Sequence, residues 1–174
     1  MAYTYSKIAT YTVGSGGTTD INFNSIPQTY TDLKIVMSAR ASAGTNYYQY
    51  PYMYFNNNYS GYTWKDVYAT SSTPGSQNAS LYYAGYIPDT STGANIFGSA
   101  EYYIPNYTSI YSKSMSYETV TENNSSTNGQ WILDFGCYVW NNSSAISAIG
   151  FYLPAGRTFA QYTTVSIYGI KAEV

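Results

Sequence analysis

The chain has 174 residues, of which 9% are charged, and its formal net charge is −2. An ordinary soluble domain carries about 25% charged residues. The few Lys and Arg residues are scattered between Lys7 and Lys171, so the chain offers no basic cluster for a phosphate backbone, and we expect no nucleic-acid partner.

Apolar and polar residues alternate with a period of two along most of the chain, which predicts β-strands. The clearest example places Leu33, Ile35 and Met37 on one face and Lys34 and Val36 on the other. Segments rich in Gly, Pro and Asn separate the strands. The predicted strands, in chain order, are 3–13, 20–24, 32–39, 50–55, 79–86, 97–104, 110–121, 131–140, 145–153 and 162–170.

Turns are predicted between these strands, at 14–17, 56–58, 73–75, 89–93, 123–129 and 154–156. Four prolines follow a large aliphatic residue, and each such pair is expected to end a strand with the aliphatic side chain packed inward. The pairs are Ile26-Pro27, Ile87-Pro88, Ile104-Pro105 and Leu153-Pro154.

Together the elements predict an all-β fold: one domain over residues 1–174, an antiparallel, jelly-roll-like β-sandwich of about 8–10 strands. An immunoglobulin-like sandwich is the alternative, although its Cys…Trp…Cys framework is missing. No apolar run approaches the ~20 residues of a membrane span. Met1 is followed directly by a strand-like pattern, so we expect neither a signal peptide nor a membrane partner.

The segment 131–140 is predicted to bury its apolar face. That face contains Trp131, Leu133, Phe135, Cys137 and Val139. Cys137, the single cysteine, is therefore expected to be a buried core thiol rather than a nucleophile. Asp134 lies on the opposite face and is expected to point outward.

The sequence offers little for catalysis. It contains no histidine, which removes the commonest general base and metal ligand and excludes a Ser-His-Asp triad within the chain. Two carboxylates would suffice for a glycosidase. Glu118 and Glu122 are candidates for such a pair in a polysaccharide depolymerase, but a solvated strand edge is the favoured interpretation. We expect no enzyme activity and no cofactor.

A calcium site is conceivable at 89–93, where Asp89 opens a polar turn. One carboxylate falls well short of the six to eight oxygen ligands that Ca²⁺ takes. The favoured interpretation is a turn in which the Asp89 side chain accepts a local backbone hydrogen bond.

The most informative local feature is a run of tyrosines over 47–54. In a strand, Met53 and Phe55 face the core and every second tyrosine faces outward. The candidate contact residues are Tyr48, Tyr50, Tyr52 and Tyr54, with Tyr59 and Tyr62 beyond the next turn. Tyrosine is enriched at protein interfaces and its ring also stacks on sugars. Three interpretations stay open: packing within the chain, a subunit or partner interface, and a glycan site.

Several motifs resemble virion proteins of marine tailed phages that infect cyanobacteria. They are Ile26-Pro27-Gln28-Thr29-Tyr30-Thr31-Asp32-Leu33, Phe55-Asn56-Asn57 with Tyr59-Ser60, Ile104-Pro105-Asn106-Tyr107 with Lys113-Ser114, and Tyr168-Gly169-Ile170. They span nearly the whole chain, and none is a catalytic motif.

The resemblance implies a jelly-roll-like module on the outer surface of the phage particle, commonly a homotrimer. Such modules occur as head decoration (cement) proteins, which bind the major capsid protein or other virion proteins, and as receptor- or glycan-binding domains of tail or head fibres. Because Met1 begins the first predicted strand without a fibrous shaft, a decoration protein is the favoured expectation, and a fibre module that binds host surface glycan is the alternative.

Overall fold

The computed structural model describes residues 3–70, 73–125, 127 and 130–172. These residues form thirteen strands and a single turn of 3₁₀ helix, Thr90–Thr92. The strands are β1 Tyr3–Thr12, β2 Asp20–Phe23, β3 Asp32–Ala39, β4 Tyr48–Gln49, β5 Tyr52–Phe55, β6 Tyr62–Thr70, β7 Thr73–Ala79, β8 Ile87–Pro88, β9 Gly98–Ile104, β10 Lys113–Thr121, β11 Ile132–Trp140, β12 Ile149–Tyr152 and β13 Thr164–Ala172.

The strands pair into three sheets, all antiparallel. The largest has eight strands in the order β1-β13-β3-β9-β10-β11-β6-β7, the second has the order β2-β12-β5, and the third pairs β4 with β8. The all-β sandwich is thereby confirmed: eight strands in one layer face the smaller sheets across one apolar core. The described part of the chain contains no helix long and apolar enough to cross a bilayer.

The core forms where the two layers face each other. Ile35 and Met37 of β3 are buried on the inner face of the large sheet, as their alternation predicts. Met53 and Phe55 of β5 meet them from the small sheet, and this prediction is also confirmed. Aromatic rings from the two layers are in contact in the core: the ring centroid of Phe55 in β5 lies 5.6 Å from that of Trp140 in β11.

Several turns lie where the sequence predicts them, but the prediction that each aliphatic–proline pair ends a strand holds only in part. Ile87-Pro88 is itself strand β8, and Ile26-Pro27 lies beyond the end of β2 at Phe23. All four aliphatic residues that precede a proline are buried, and β9 ends at Ile104.

The turn after β5 places Asn56 and Asn57 at φ values of 52° and 55°, a backbone conformation that Asn tolerates better than most residues. The Asn58 N–H donates to the Phe55 carbonyl at 2.9 Å and closes this turn.

The hairpin β6–β7 is the largest departure from the predicted strands. The segment 73–75, expected as a turn, belongs to β7, and 79–86, expected as a strand, is mainly irregular backbone. β6 was missed because its buried positions include the polar Asp66 beside Tyr62 and Trp64, which weakens the apolar alternation. β7 has no buried residue, so it carries no period-two apolar signal.

The orientation predicted for 131–140 is wrong. Asp134 is fully buried, whereas Phe135 and Cys137 are exposed on the outer face of the large sheet. The neighbours of β11 impose this orientation, because residues paired across a ladder point to the same face. Cys137 pairs with Lys65 of β6 and Ser116 of β10, and both lie on the solvent face.

Candidate functional site

Two of the six candidate tyrosines do not face solvent. Tyr54 is 3% exposed, and its ring lies over Gly150 of the adjacent strand β12, where any side chain would collide with it. The Tyr54 hydroxyl donates to Asn22 Oδ1 at 2.7 Å. Tyr54 therefore lies on the outer face of the small sheet, as predicted, but the ring of Tyr59, whose centroid is 4.7 Å away, covers it, so Tyr54 is not exposed.

Tyr62 belongs to the core of the sandwich. It lies on the inner face of β6, is 3% exposed, and its ring is nearly parallel to that of Trp140. Its hydroxyl accepts the Phe55 N–H at 2.8 Å and donates to the Asn58 carbonyl at 3.1 Å. Tyr62 thus ties β6 to the end of β5 and cannot serve as a surface contact.

The remaining candidates contribute to a continuous layer of tyrosine rings beside and over the outer face of the small sheet. Tyr59 is 54% exposed, and Tyr50 and Tyr52 are half-buried against further tyrosines from the 80–86 segment and β12. Tyr48 contacts the edge of this layer through Tyr50, with ring centroids 5.7 Å apart. We call the layer the tyrosine surface: Tyr50, Tyr52, Tyr59, Tyr82, Tyr83 and Tyr152.

Ring contacts and hydroxyl bonds hold the tyrosine surface in place. The Tyr52 centroid lies 4.8 Å from Tyr152 in a stacked arrangement, 4.7 Å from Tyr83 and 4.9 Å from Tyr82. The hydroxyl oxygens of Tyr82 and Tyr152 are 3.0 Å apart and share a hydrogen bond. Each ring is fixed by its neighbours, so a partner that binds here meets a pre-organised surface.

The hydroxyls of Tyr52 and Tyr152 in the tyrosine surface have raised pKa values and stay uncharged at physiological pH. Burial raises the pKa of the Tyr52 hydroxyl above its ordinary value, and the neighbouring Tyr83 hydroxyl adds to the shift. The pKa of Tyr152 is raised by burial and then by Tyr82. Sequence reasoning missed Tyr82, Tyr83 and Tyr152 because only the tertiary structure brings them beside β5; the adjacent pair Tyr82-Tyr83 was the available signal.

The opposite side of the sandwich carries an exposed apolar strip along β11. Phe135 is 46% exposed and Val139 37% exposed, Cys137 is exposed, and Leu133 is half-buried. We call these four residues the β11 stripe. Val67, 58% exposed, extends it sideways on β6. The expectation that Cys137 lies in the core is wrong, because its cross-strand partners Lys65 and Ser116 lie on the solvent face.

A shallow open groove of about 750 Å³ runs beside the β11 stripe. Two carboxylates lie within it, because Glu101 of β9 and Glu118 of β10 are cross-strand partners. Glu101 forms an ion pair with Lys34 at 2.6 Å. Both carboxylates lie on an open sheet surface, without the enclosure that excludes water from a hydrolase site. Glu122 lies just after β10 and is exposed, and its carboxylate accepts the Asn124 N–H, in keeping with the favoured interpretation of a solvated strand edge.

A second carboxyl pair, Asp66 and Asp134, is buried under the inner face of the large sheet. Asp134 is 0% exposed and Asp66 is 5% exposed. Asp66 Oδ1 accepts the Gln77 N–H at 3.0 Å, and the Tyr117 hydroxyl lies beside Asp134 and acts to lower the pKa of that carboxyl. Burial, and after it the charge of Asp66, raises the pKa of Asp134 to about 8. The pair is closed to substrates, and the predicted outward position of Asp134 is wrong.

Asp89 organises the polar loop at 89–93. It is fully buried, and its carboxylate accepts hydrogen bonds from the Ser91 N–H at 2.7 Å, the Asn46 N–H at 3.2 Å and Gln49 Nε2 at 2.9 Å. The predicted local hydrogen bond to the backbone is confirmed. Within the described ranges, no three acidic or thiol side chains come together as metal ligands.

No family model matches this sequence, and no curated protein or solved structure matches it either. The two outer faces of the sandwich differ in chemistry, one carrying tyrosine rings and the other aliphatic and aromatic side chains.

Proposed function

We propose that the protein is a structural component of a phage virion, a decoration protein that binds the outside of the head through its tyrosine surface and stabilises it. The observation that carries this proposal is the layer of six mutually packed tyrosines over the small sheet. The resemblance of the sequence to virion proteins of marine tailed phages supplies the context.

The chemistry of the tyrosine surface favours a protein partner. Tyrosine offers a large contact area with only two side-chain torsions, and its hydroxyl bonds to polar groups at the rim of an interface. Rings already fixed against each other, such as Tyr52 against Tyr152, lose little further entropy on binding. A neutral surface also holds its partner with little dependence on salt.

The decisive experiment adds purified protein to heads that lack it. Replacing Tyr52 or Tyr59 by Ser should weaken head binding at least tenfold, which corresponds to about 1.4 kcal/mol. Tyr111→Ser is the matched control, because Tyr111 is 74% exposed in a loop outside the tyrosine surface. Bound protein is measured by co-sedimentation, and the temperature at which the heads rupture is measured in parallel.

Equal binding by all variants would refute the role of the tyrosine surface. Heads that bind the protein and yet rupture at the same temperature with and without it would refute the stabilising role. Circular dichroism of each variant verifies that the sandwich is folded before binding is compared.

A fibre module that binds host surface glycan is the second candidate. The specific observation in its favour is that Tyr59 presents an exposed ring beside the paired hydroxyls of Tyr82 and Tyr152, a combination that can stack on a sugar and bond to its hydroxyls. A glycan array separates the two functions: glycan binding that Tyr59→Ser abolishes, without binding to heads, would favour the fibre module.

A further inference from the structure

The β11 stripe lies on the side of the sandwich away from the tyrosine surface. Phe55 and Trp140 meet in the core, so the outer faces of β5 and β11 look in opposite directions. We propose that the β11 stripe binds a second copy of this chain, related by a two-fold axis that runs along β11. This inference does not depend on the proposed function, because it uses a different face of the molecule.

The first argument is the exposure of apolar side chains at the middle of a sheet. Phe135 and Val67 are cross-strand partners and are 46% and 58% exposed. Val120 of β10 and Val139 of β11 are each 37% exposed nearby. Contiguous apolar patches of this kind are uncommon on monomeric proteins and typically mark an interaction surface.

The second argument is the size of the face. Strands lie about 4.8 Å apart and rise about 3.4 Å per residue. An axis along β11 overlaps the five strands β9-β10-β11-β6-β7, because only β6 and β7 lie on one side of β11. At about eight residues each, these strands present a face of roughly 24 by 27 Å. Such a face approaches the about 800 Å² per partner that a standard interface buries. Two sheets packed face to face in this way would lie about 10 Å apart, as in the layers of a sandwich.

The third argument, which selects a second copy as the occupant, is the arrangement of charge. Lys65 lies on β6, on one side of β11, and Glu118 lies on β10, on the other side. Within the described part of the chain, neither forms an ion pair. A two-fold axis along β11 places β6 of one copy over β10 of the other. In this register Lys65 lies over Ser116 of the second copy, and Glu118 is the next residue on that face, about 7 Å along the strand. The long side chain of Lys65 spans this offset and reaches Glu118.

The symmetry produces this pairing twice, once at each side of the axis. The apolar side chains of the two β11 stripes meet along the axis itself, and Phe135 packs against Phe135 of the second copy. Each β11 stripe thus meets its own counterpart, and Lys65 of each copy reaches Glu118 of the other, as a two-fold contact requires.

The test measures the mass of the full chain by sedimentation equilibrium at micromolar to hundred-micromolar concentrations. The wild type should be a dimer, and Phe135→Lys should weaken dimerisation at least 100-fold, because it places two like charges against each other at the axis. Tyr111→Lys is the matched control and should leave the dimer intact, because Tyr111 lies in an exposed loop.

A charge exchange tests the geometry of the axis. Lys65→Glu and Glu118→Lys should each weaken the dimer, and the double variant should restore it to within a few-fold of the wild type. Cys137 gives a second readout, since it is the only cysteine and would face its counterpart across the axis. A short bismaleimide should therefore cross-link the wild type into dimers and Phe135→Lys much less.

A wild type that is monomeric throughout this range would overturn the inference, as would a trimer or larger assembly that Phe135→Lys leaves intact. A double variant no better than the single variants would overturn the two-fold geometry. None of these outcomes bears on head binding by the tyrosine surface. Head binding is measured in a separate experiment with Tyr52→Ser and Tyr59→Ser.

Discussion

At the scale of single residues, the buried carboxyl pair is the most unusual feature of the core. As two carboxylates, Asp66 and Asp134 could only accept hydrogen bonds, and Tyr117 is the side-chain donor beside Asp134, where its hydroxyl partly offsets the rise in the pKa of that carboxyl. One proton on Asp134, donated to Asp66, supplies a hydrogen bond between the two carboxyls and removes one buried charge. Desolvation favours this arrangement, which explains why the pKa of Asp134 is raised.

The shared proton predicts a pH-dependent stability. The pKa of Asp134 is about 8 in the folded chain and about 3.9 in an unfolded one, so the folded state binds the proton more tightly. The stabilisation is fully present below pH about 4 and is lost as the pH rises to about 8. Urea unfolding at a series of pH values should show this decline, on the order of a few kcal/mol.

Asp134→Asn supplies the matching variant, since its amide can donate to Asp66 at every pH. Its free energy of unfolding should vary less with pH between 4 and 8 and should exceed that of the wild type at pH 8 by about 1–3 kcal/mol. Asp20→Asn, at an exposed position, is the control. Parallel pH profiles for wild type and Asp134→Asn would contradict the shared proton.

At the scale of elements, the turn between β5 and β6 joins parts of the chain that are distant in sequence. Asn56 Oδ1 accepts hydrogen bonds from the Ser147 N–H at 2.8 Å and the Ala148 N–H at 3.0 Å, and Asn56 Nδ2 donates to the Ala145 carbonyl at 2.8 Å. These bonds fix the segment that leads into β12. Asn56 therefore positions the small sheet as well as turning the chain.

Glycine substitutions in this turn separate the two roles of its asparagines. Both Asn56 and Asn57 have positive φ, which glycine adopts without cost. Asn56→Gly should lower the free energy of unfolding by about 1–3 kcal/mol, because three backbone groups of 145–148 lose their partner. Asn57→Gly should change it by less than about 0.5 kcal/mol. Urea unfolding measures both, and equal effects would refute the positioning role of Asn56.

At the scale of the whole molecule, shape complementarity and polar bonds hold the sandwich together with little help from ion pairs. Lys34–Glu101 is the single ion pair among the described residues, and it lies on the surface. β1 pairs with β13, so the first and last strands of the fold are neighbours in one sheet. A single core connects all the layers.

The scarcity of ion pairs predicts a stability that is almost independent of salt. An exposed ion pair contributes about 0–1 kcal/mol, and salt screens it further. The free energy of unfolding in urea at pH 7 should therefore change by less than about 1 kcal/mol between about 0.05 and 1 M KCl. The Glu101→Gln variant should give the same salt profile. A larger loss of stability in KCl would contradict the small contribution of ion pairs.

The amino-acid sequence by itself determined the fold class and most of the strands. Period-two alternation identifies β3, β9, β10 and β13 because each has one clearly apolar and one clearly polar face. Local backbone preferences located two further features. Asn tolerates the positive φ of the turn at Asn56-Asn57, and Pro105 restricts the backbone of the buried Ile104 before it.

Only the tertiary structure decided which face of β11 is inside and which tyrosines are outside. Both faces of β11 carry large apolar side chains, so its own alternation could not select one, and the pairing of Cys137 with Lys65 and Ser116 made the choice. Likewise Tyr54 is buried because Gly150, nearly a hundred residues away, leaves room for its ring. Burial depends on what lies opposite a side chain, and that is a property of the assembled sheets.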